Sequence, residues 1–400
     1  MARRSPGPRV SKRNRPIRIA ITNVHAAGCY TAPIQVGSRR TRLNVFLDTG
    51  SSSLAVDRRH YDPGKDRCMA TTRLAQSVDY EDGSGWTGAI VRTRIVVRHV
   101  REERRLEGVA IAVADRQKDI FVGGMQGILG LAYTELDEAS KFRRPTWPSY
   151  DHRNLDSKPV VDVEPYFTQL EQGHTTPNKF ALYTLRSQVR YGGRRYVAGD
   201  PWNGGWLVLG GGEEYRSLYQ GRFRTARVLH DLYYNTNMTS IRVGSSEPIA
   251  VPPPARMSGL FSNSIVDSGT ATLCLPNRLY KSIIAQFRAL NPGYAATIRR
   301  SVNYDDVRLD ARELGRWPDI RLTLEGTSRD IETVVSPKTY WQPNYTRDGV
   351  TAFAIDSQDE NQTILGLPFM NNYYCVFDRS GNDGIGVIRL AAPKMPRSLR

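Results

Sequence analysis

Two copies of one short pattern constrain this chain more than any other feature. Val45-Phe46-Leu47-Asp48-Thr49-Gly50-Ser51 is echoed 219 positions later by Ser264-Ile265-Val266-Asp267-Ser268-Gly269-Thr270. Each copy runs apolar residues into an aspartate, then a hydroxyl residue, a glycine and a second hydroxyl residue. A second pair follows in the same order: Gly127-Ile128-Leu129-Gly130-Leu131 and, 236 positions on, Thr363-Ile364-Leu365-Gly366-Leu367. Matching patterns, in order and at similar separations, indicate an internal duplication. A chain of 400 residues is then expected to build two related lobes.

The local pattern is that of short strands. Runs rich in β-branched and aromatic residues occur at 41–47, 88–98, 108–114, 179–185, 206–209, 240–243 and 373–377. Helical periodicity is sparse. Over 277–290, Leu279, Ile283, Ile284 and Phe287 share one face behind Pro276, and a shorter helix is expected over 163–171. Two stretches look like loops: polar 137–162, and 186–205, which is rich in Gly and Arg. The chain therefore divides into a basic, disordered tail (1–18), an N-terminal lobe (19–185), an interlobe loop (186–205), a C-terminal lobe (206–390) and a tail (391–400). The expected class is mostly β with few helices, in two related lobes.

Charge separates few function classes here. The net charge is +16, and 1–18 holds Arg3, Arg4, Arg9, Lys12, Arg13, Arg15 and Arg18 with no acid. Basic residues without a binding motif predict a solvated surface, not specific nucleic-acid binding. No apolar stretch follows the basic start, so no signal peptide is visible, and no run is long enough for a transmembrane span. Cys29, Cys68, Cys274 and Cys375 are too widely spaced for a zinc ribbon or a redox motif. They allow three disulfide pairings or none; Cys274 and Cys375 are expected as buried free thiols.

One Asp-hydroxyl-Gly after a strand is an ordinary turn. Two copies in corresponding halves can bring Asp48 and Asp267 together. Adjacent carboxylates cannot both ionise easily, so one is driven neutral and the other stays charged. The charged one can take a proton from water while the neutral one donates to a developing oxyanion. Thr49, Gly50, Ser51, Ser268, Gly269 and Thr270 would support the pair. Neither a metal nor a cofactor is called for.

In these motifs the chain resembles the pepsin-like (A1-type) aspartic proteases. Asp48-Thr49-Gly50-Ser51-Ser52-Ser53-Leu54-Ala55-Val56 is similar to the first active-site motif, and Asp267-Ser268-Gly269-Thr270 to the second. Ile128-Leu129-Gly130 and Ile364-Leu365-Gly366 match the hydrophobic-hydrophobic-Gly motifs, and Tyr374-Cys375-Val376-Phe377-Asp378-Arg379 resembles the last strands. The likeness runs from about Tyr30 to about Ile388. It implies the bilobal acid-protease fold, mostly β, with two related β-barrel-like lobes about a central cleft and a flap hairpin, an extended peptide bound beneath that flap, and aspartic endopeptidase activity. Tyr80 matches the flap tyrosine, in a hairpin with Gly83 at its tip and Trp86 beyond. Ala55 stands where most pepsins have Trp. That exchange, Trp86, Gly130-Leu131-Ala132-Tyr133 and Tyr233 resemble the beta-secretase (memapsin) branch, although four cysteines are too few for its six-cysteine C-terminal set. The resemblance further implies protein or peptide substrates, a monomer, and a secreted or secretory-pathway or vacuolar setting. A pepsin-fold binding or inhibitor protein without catalysis is the alternative; intact aspartate motifs and Tyr80 argue against it.

Overall fold

The computed structural model describes residues 16–396 except 27, 100–101, 156–159, 174–175, 188–199, 254–261 and 345–348. Most of the expected basic tail and of the 186–205 loop, and the last four residues, lie outside the described residues. The first strand, Ile17–Ala26, begins inside the stretch read as tail, and the last one, Val387–Pro393, extends past 390.

The chain is mostly β, as its composition of short strands implies. Six strands close a barrel in the order Cys29–Val36, Thr41–Asp48, Gly127–Gly130, Leu54–Asp57, Glu102–Lys118 and Gly85–His99. The last returns to the first through Gln35↔Val96 and Val36↔Ile95. Alternation explains the strand carrying Asp48: Leu43, Val45 and Leu47 are buried, while Arg42, Asn44 and Phe46 are less so.

The two halves repeat one local topology. Thr41–Asp48 runs parallel to Gly127–Gly130, with Asp48 opposite Gly130. Gly127–Gly130 also pairs antiparallel with Leu54–Asp57. In the second half Ser264–Val266 runs parallel to Thr363–Leu365, which pairs antiparallel with Leu273–Pro276. In each case a later strand inserts between the two arms of an aspartate-bearing loop. Parallel neighbours need a long crossover, so this arrangement could not arise from local hairpins.

A further antiparallel layer joins the halves. Its strands are Ile17–Ala26, Gly204–Leu209, Lys179–Tyr183, Tyr374–Asp378, Val387–Pro393 and Tyr219–Arg227, in that order. Phe180 stacks on Phe377 across it at 4.8 Å.

Helices follow their signals unevenly. Asn277–Leu290 buries Leu279, Ile283 and Phe287 on the expected face. The helix expected over 163–171 runs Tyr166–Gln172, because Pro165 occupies its N-cap. Pro292–Val302 was not expected, since its Pro-Gly start resembles a turn. Here Pro292 opens the helix and the Asn291 side chain accepts from Gly293 N at 2.8 Å. The 137–162 stretch also departs from the expected loop. Glu138–Lys141 adds to the edge strand Ala70–Asp79, and Val160–Asp162 adds to Glu138–Lys141. Their backbone partners come from a sheet edge, which residue type does not reveal. All four cysteines are free thiols; Cys375 is buried as expected and Cys29 is buried too, whereas Cys274, expected buried, is only half-buried.

Candidate active site

Each aspartate ends a buried strand, and the loop after it turns toward the other half. The two loops grip each other through backbone and hydroxyl groups. Thr49 Oγ1 donates to Val266 O at 3.0 Å and accepts from Ser268 N at 2.8 Å. Reciprocally, Ser268 Oγ donates to Leu47 O at 2.9 Å and accepts from Thr49 N at 3.1 Å. All these groups are buried, so their mutual satisfaction fixes the loops.

The same symmetry orients the carboxylates. Asp48 Oδ1 accepts from Gly50 N at 2.8 Å, and Asp267 Oδ1 accepts from Gly269 N at 2.8 Å. Ser51 Oγ donates to Asp48 Oδ2, and Thr270 Oγ1 to Asp267 Oδ2 at 2.6 Å. Glycine is required here by close approach. A Cβ on Gly50 would lie 2.9 Å from Asp267 Cγ, and one on Gly269 would strike Asp48 Oδ1. Each carboxylate thus packs against the opposite loop. Burial first, then the charge of Asp267, holds the Asp48 carboxyl well above the usual carboxylate range, against the Ser51 and Gly50 hydrogen bonds. Beneath the pair, Cys29 Sγ donates to Gly269 O at 3.3 Å.

The inserted strands brace this floor. Leu131 N donates to Asp48 O at 2.7 Å, and Leu367 N donates to Thr270 O at 2.9 Å. Arg379, buried and without a carboxylate hydrogen-bond partner among the described residues, donates to Leu131 O and to Ala132 O, the latter at 2.7 Å.

Ala70–Asp79 and Gly85–His99 form the expected hairpin, paired at Val78↔Trp86 and Asp79↔Gly85. Residues 80–84 make its tip: Gly83 N donates to Tyr80 O and Tyr80 N to Ser84 O, both at 2.9 Å. Trp86 Nε1 donates to Tyr80 Oη at 3.1 Å. Burial raises the Tyr80 phenol, as does the nearby Asp48 charge, while Trp86 and Ser51 act in the opposite sense. The hairpin therefore reaches the Asp48 loop. Trp86 is buried in one cluster with Ala55, Ile90, Ala112 and Ile128, so the indole packs in the same layer as the small Ala55 side chain.

Another carboxyl group lies within reach of the pair although the whole chain is basic. Burial raises the Glu81 carboxyl, and the charges of Glu360 and Asp267 raise it further. Burial raises the Tyr233 phenol, and the charges of Glu81, Asp267 and Asp48 raise it further. Among the described residues no cluster of His, Cys, Asp and Glu could hold a metal ion.

The structure brings Asp48, Thr49, Gly50, Ser51, Asp267, Ser268, Gly269 and Thr270 together in the gripped loops and puts Tyr80, Gly83 and Trp86 in the hairpin. Cys29 carries no motif; it reaches the aspartate loops only through tertiary packing.

A family model described as eukaryotic aspartyl protease matches residues 29–390. A beta-secretase of Strongylocentrotus purpuratus is 24% identical over 91% of this chain and 67% of its own length. Gastricsin of Oryctolagus cuniculus is 24% identical over 90% of this chain and 81% of its own length. Gastricsin of Homo sapiens is 24% identical over 89% and 80%. With the family match spanning the gripped loops, the hairpin and the inserted strands alike, the chain belongs to the eukaryotic aspartyl protease family.

Proposed function

We propose that the chain is an active aspartic endopeptidase in which Asp48 and Asp267 are the catalytic pair. The observation that carries this reading is the reciprocal Thr49–Ser268 grip, which sets two buried carboxylates against each other's loops. One proton shared by the pair leaves one carboxylate charged. That carboxylate takes a proton from an attacking water, and the protonated partner donates to the oxyanion forming on the peptide carbonyl. Burial and the neighbouring Asp267 charge raise the Asp48 carboxyl, which supports one proton held by the pair as a unit.

Thr49, Gly50, Ser51, Ser268, Gly269 and Thr270 hold the pair. Tyr80, Gly83 and Trp86 belong to the flap, whose exposed backbone would hydrogen-bond an extended peptide in the manner of an added strand. We place the lobes at 19–185 and 206–390, joined through 186–205. Substrates are proteins or peptides, and the working form is a monomer of a secreted or luminal compartment. No helix of the described residues is long and apolar enough to cross a membrane.

The test is cleavage of a peptide library between about pH 3 and 7, with and without pepstatin. Cleavage blocked by pepstatin is expected. Asp48→Asn and Asp267→Asn should each lose at least about 10³-fold in kcat while keeping the wild-type circular dichroism. Activity in either variant would refute the pair; a folded wild type that cleaves nothing would favour a binding protein.

A further inference from the structure

Asp137 lies in the stretch expected as a loop and is only 2% exposed. Its Oδ1 accepts two hydrogen bonds from different elements. Ser53 Oγ donates at 2.7 Å, from the end of the loop that carries Asp48. Gln76 Nε2 donates at 2.6 Å, from the flap strand Ala70–Asp79, four residues before Tyr80. Gln76 is itself buried; its amide also donates to Glu138 O at 3.0 Å and reaches Ser53 Oγ at 3.3 Å. Asp137 is held in place by its backbone: its N–H donates to Thr134 O at 2.9 Å and its carbonyl accepts from Val163 N at 2.6 Å. One carboxyl group therefore bridges the flap strand and the aspartate loop.

We propose that Asp137 is a positioning residue, whose carboxyl group ties the flap strand to the loop bearing Asp48 and so sets the flap over the catalytic pair. The proposal rests on the reading of the 70–99 hairpin as the flap of an aspartic endopeptidase.

The bridge has a built-in pH response. Burial pushes the Asp137 carboxyl up to about 6, opposed by the hydrogen bonds from Ser53 and Gln76. Asp162, on the adjoining strand Val160–Asp162, is the charged group acting on it and raises it further; among the described residues no cation offsets the effect. The bridged state therefore favours the neutral carboxyl. Opening the bridge to water restores an ordinary carboxylate, so opening costs least at pH values above the raised midpoint. The flap is held most firmly in acid.

Hydrogen–deuterium exchange of the full chain tests this without relying on activity. The 70–80 segment, corrected for intrinsic exchange, should open on the order of 100-fold more readily at pH 8 than at pH 3. Asp137→Asn keeps an acceptor for both donors but cannot ionise, so its exchange should stay at the acid level throughout. Ser53→Ala removes a donor that favours the charged carboxylate, so its midpoint should move above that of the wild type. Gln76→Leu cuts the tie and should lower kcat/KM about tenfold, whereas Asp137→Asn should keep the acid value within about twofold. An unchanged pH response in Asp137→Asn, or a wild-type 70–80 segment indifferent to pH, overturns the proposal. If Asp137→Asn does not fold, the Ser53→Ala midpoint decides: a shift upward supports the bridge and no shift overturns it. Predicted exchange in a wild type that cleaves no peptide overturns the endopeptidase reading and leaves the bridge standing.

Discussion

Replacing Thr49 by valine tests the grip at its centre. Valine nearly preserves the shape but removes both hydrogen bonds of Oγ1. The Ser268 N–H, buried and bonded to that oxygen at 2.8 Å, loses its acceptor. The Val266 carbonyl loses a donor at 3.0 Å. An orphaned buried N–H costs about 1–3 kcal/mol, and one lost neutral hydrogen bond about 1 kcal/mol. The expected loss is about 2–4 kcal/mol, a large part of a typical 5–15 kcal/mol total. Ser268→Ala orphans the corresponding pair, Thr49 N–H and Leu47 O, at 3.1 and 2.9 Å. Because the two halves are related, the two substitutions should cost the same within about 1 kcal/mol. Urea unfolding followed by tryptophan fluorescence measures both. Each variant should also lose about 10²-fold in kcat, since the carboxylates no longer hold their spacing. A Thr49→Val protein with wild-type stability and kcat would refute the argument that this grip sets the site.

The other predictions concern single groups. Gly269→Ala places a methyl group against Asp48 Oδ1, so it should cost activity far more than stability, measured by kcat alongside the melting temperature. Tyr80→Phe leaves Trp86 Nε1 without its partner at 3.1 Å; kcat/KM should fall about tenfold, and an unchanged value would remove Tyr80 from the mechanism. Asp137→Asn should change the pH dependence of stability. The native carboxyl is raised from 3.8 to about 6, so its contribution is intact below the lower value and is lost as pH rises through the upper one. The variant should equal the wild type near pH 3 and exceed it by up to about 3 kcal/mol near pH 8, read by denaturant midpoints. Equal midpoints at both pH values would contradict the buried carboxyl.

Part of this protein was legible in its residues. The two Asp-hydroxyl-Gly motifs, their apolar lead-in strands and the paired Ile-Leu-Gly runs specify a repeated loop, because strand patterning and turn chemistry are local. The helix Asn277–Leu290 was legible for the same reason: its Leu279, Ile283 and Phe287 face is written at helical spacing. Pro292–Val302 was not, since a proline and glycine that open a helix look the same as those that make a turn until the Asn291 cap is seen. Strands Glu138–Lys141 and Val160–Asp162 owe their form to an available sheet edge.

At the site the division is sharper. Sequence alone named Asp48 and Asp267 and the hydroxyl residues beside them, because each set lies within a few residues. Only tertiary structure put Thr49 Oγ1 against Ser268 N, Cys29 beneath Gly269, and Asp137 between Ser53 and Gln76. Those partners are separated by tens to hundreds of residues. Whether a buried polar group is satisfied, and how strongly a carboxyl is forced neutral, depends on what the fold packs around it and not on its neighbours along the chain.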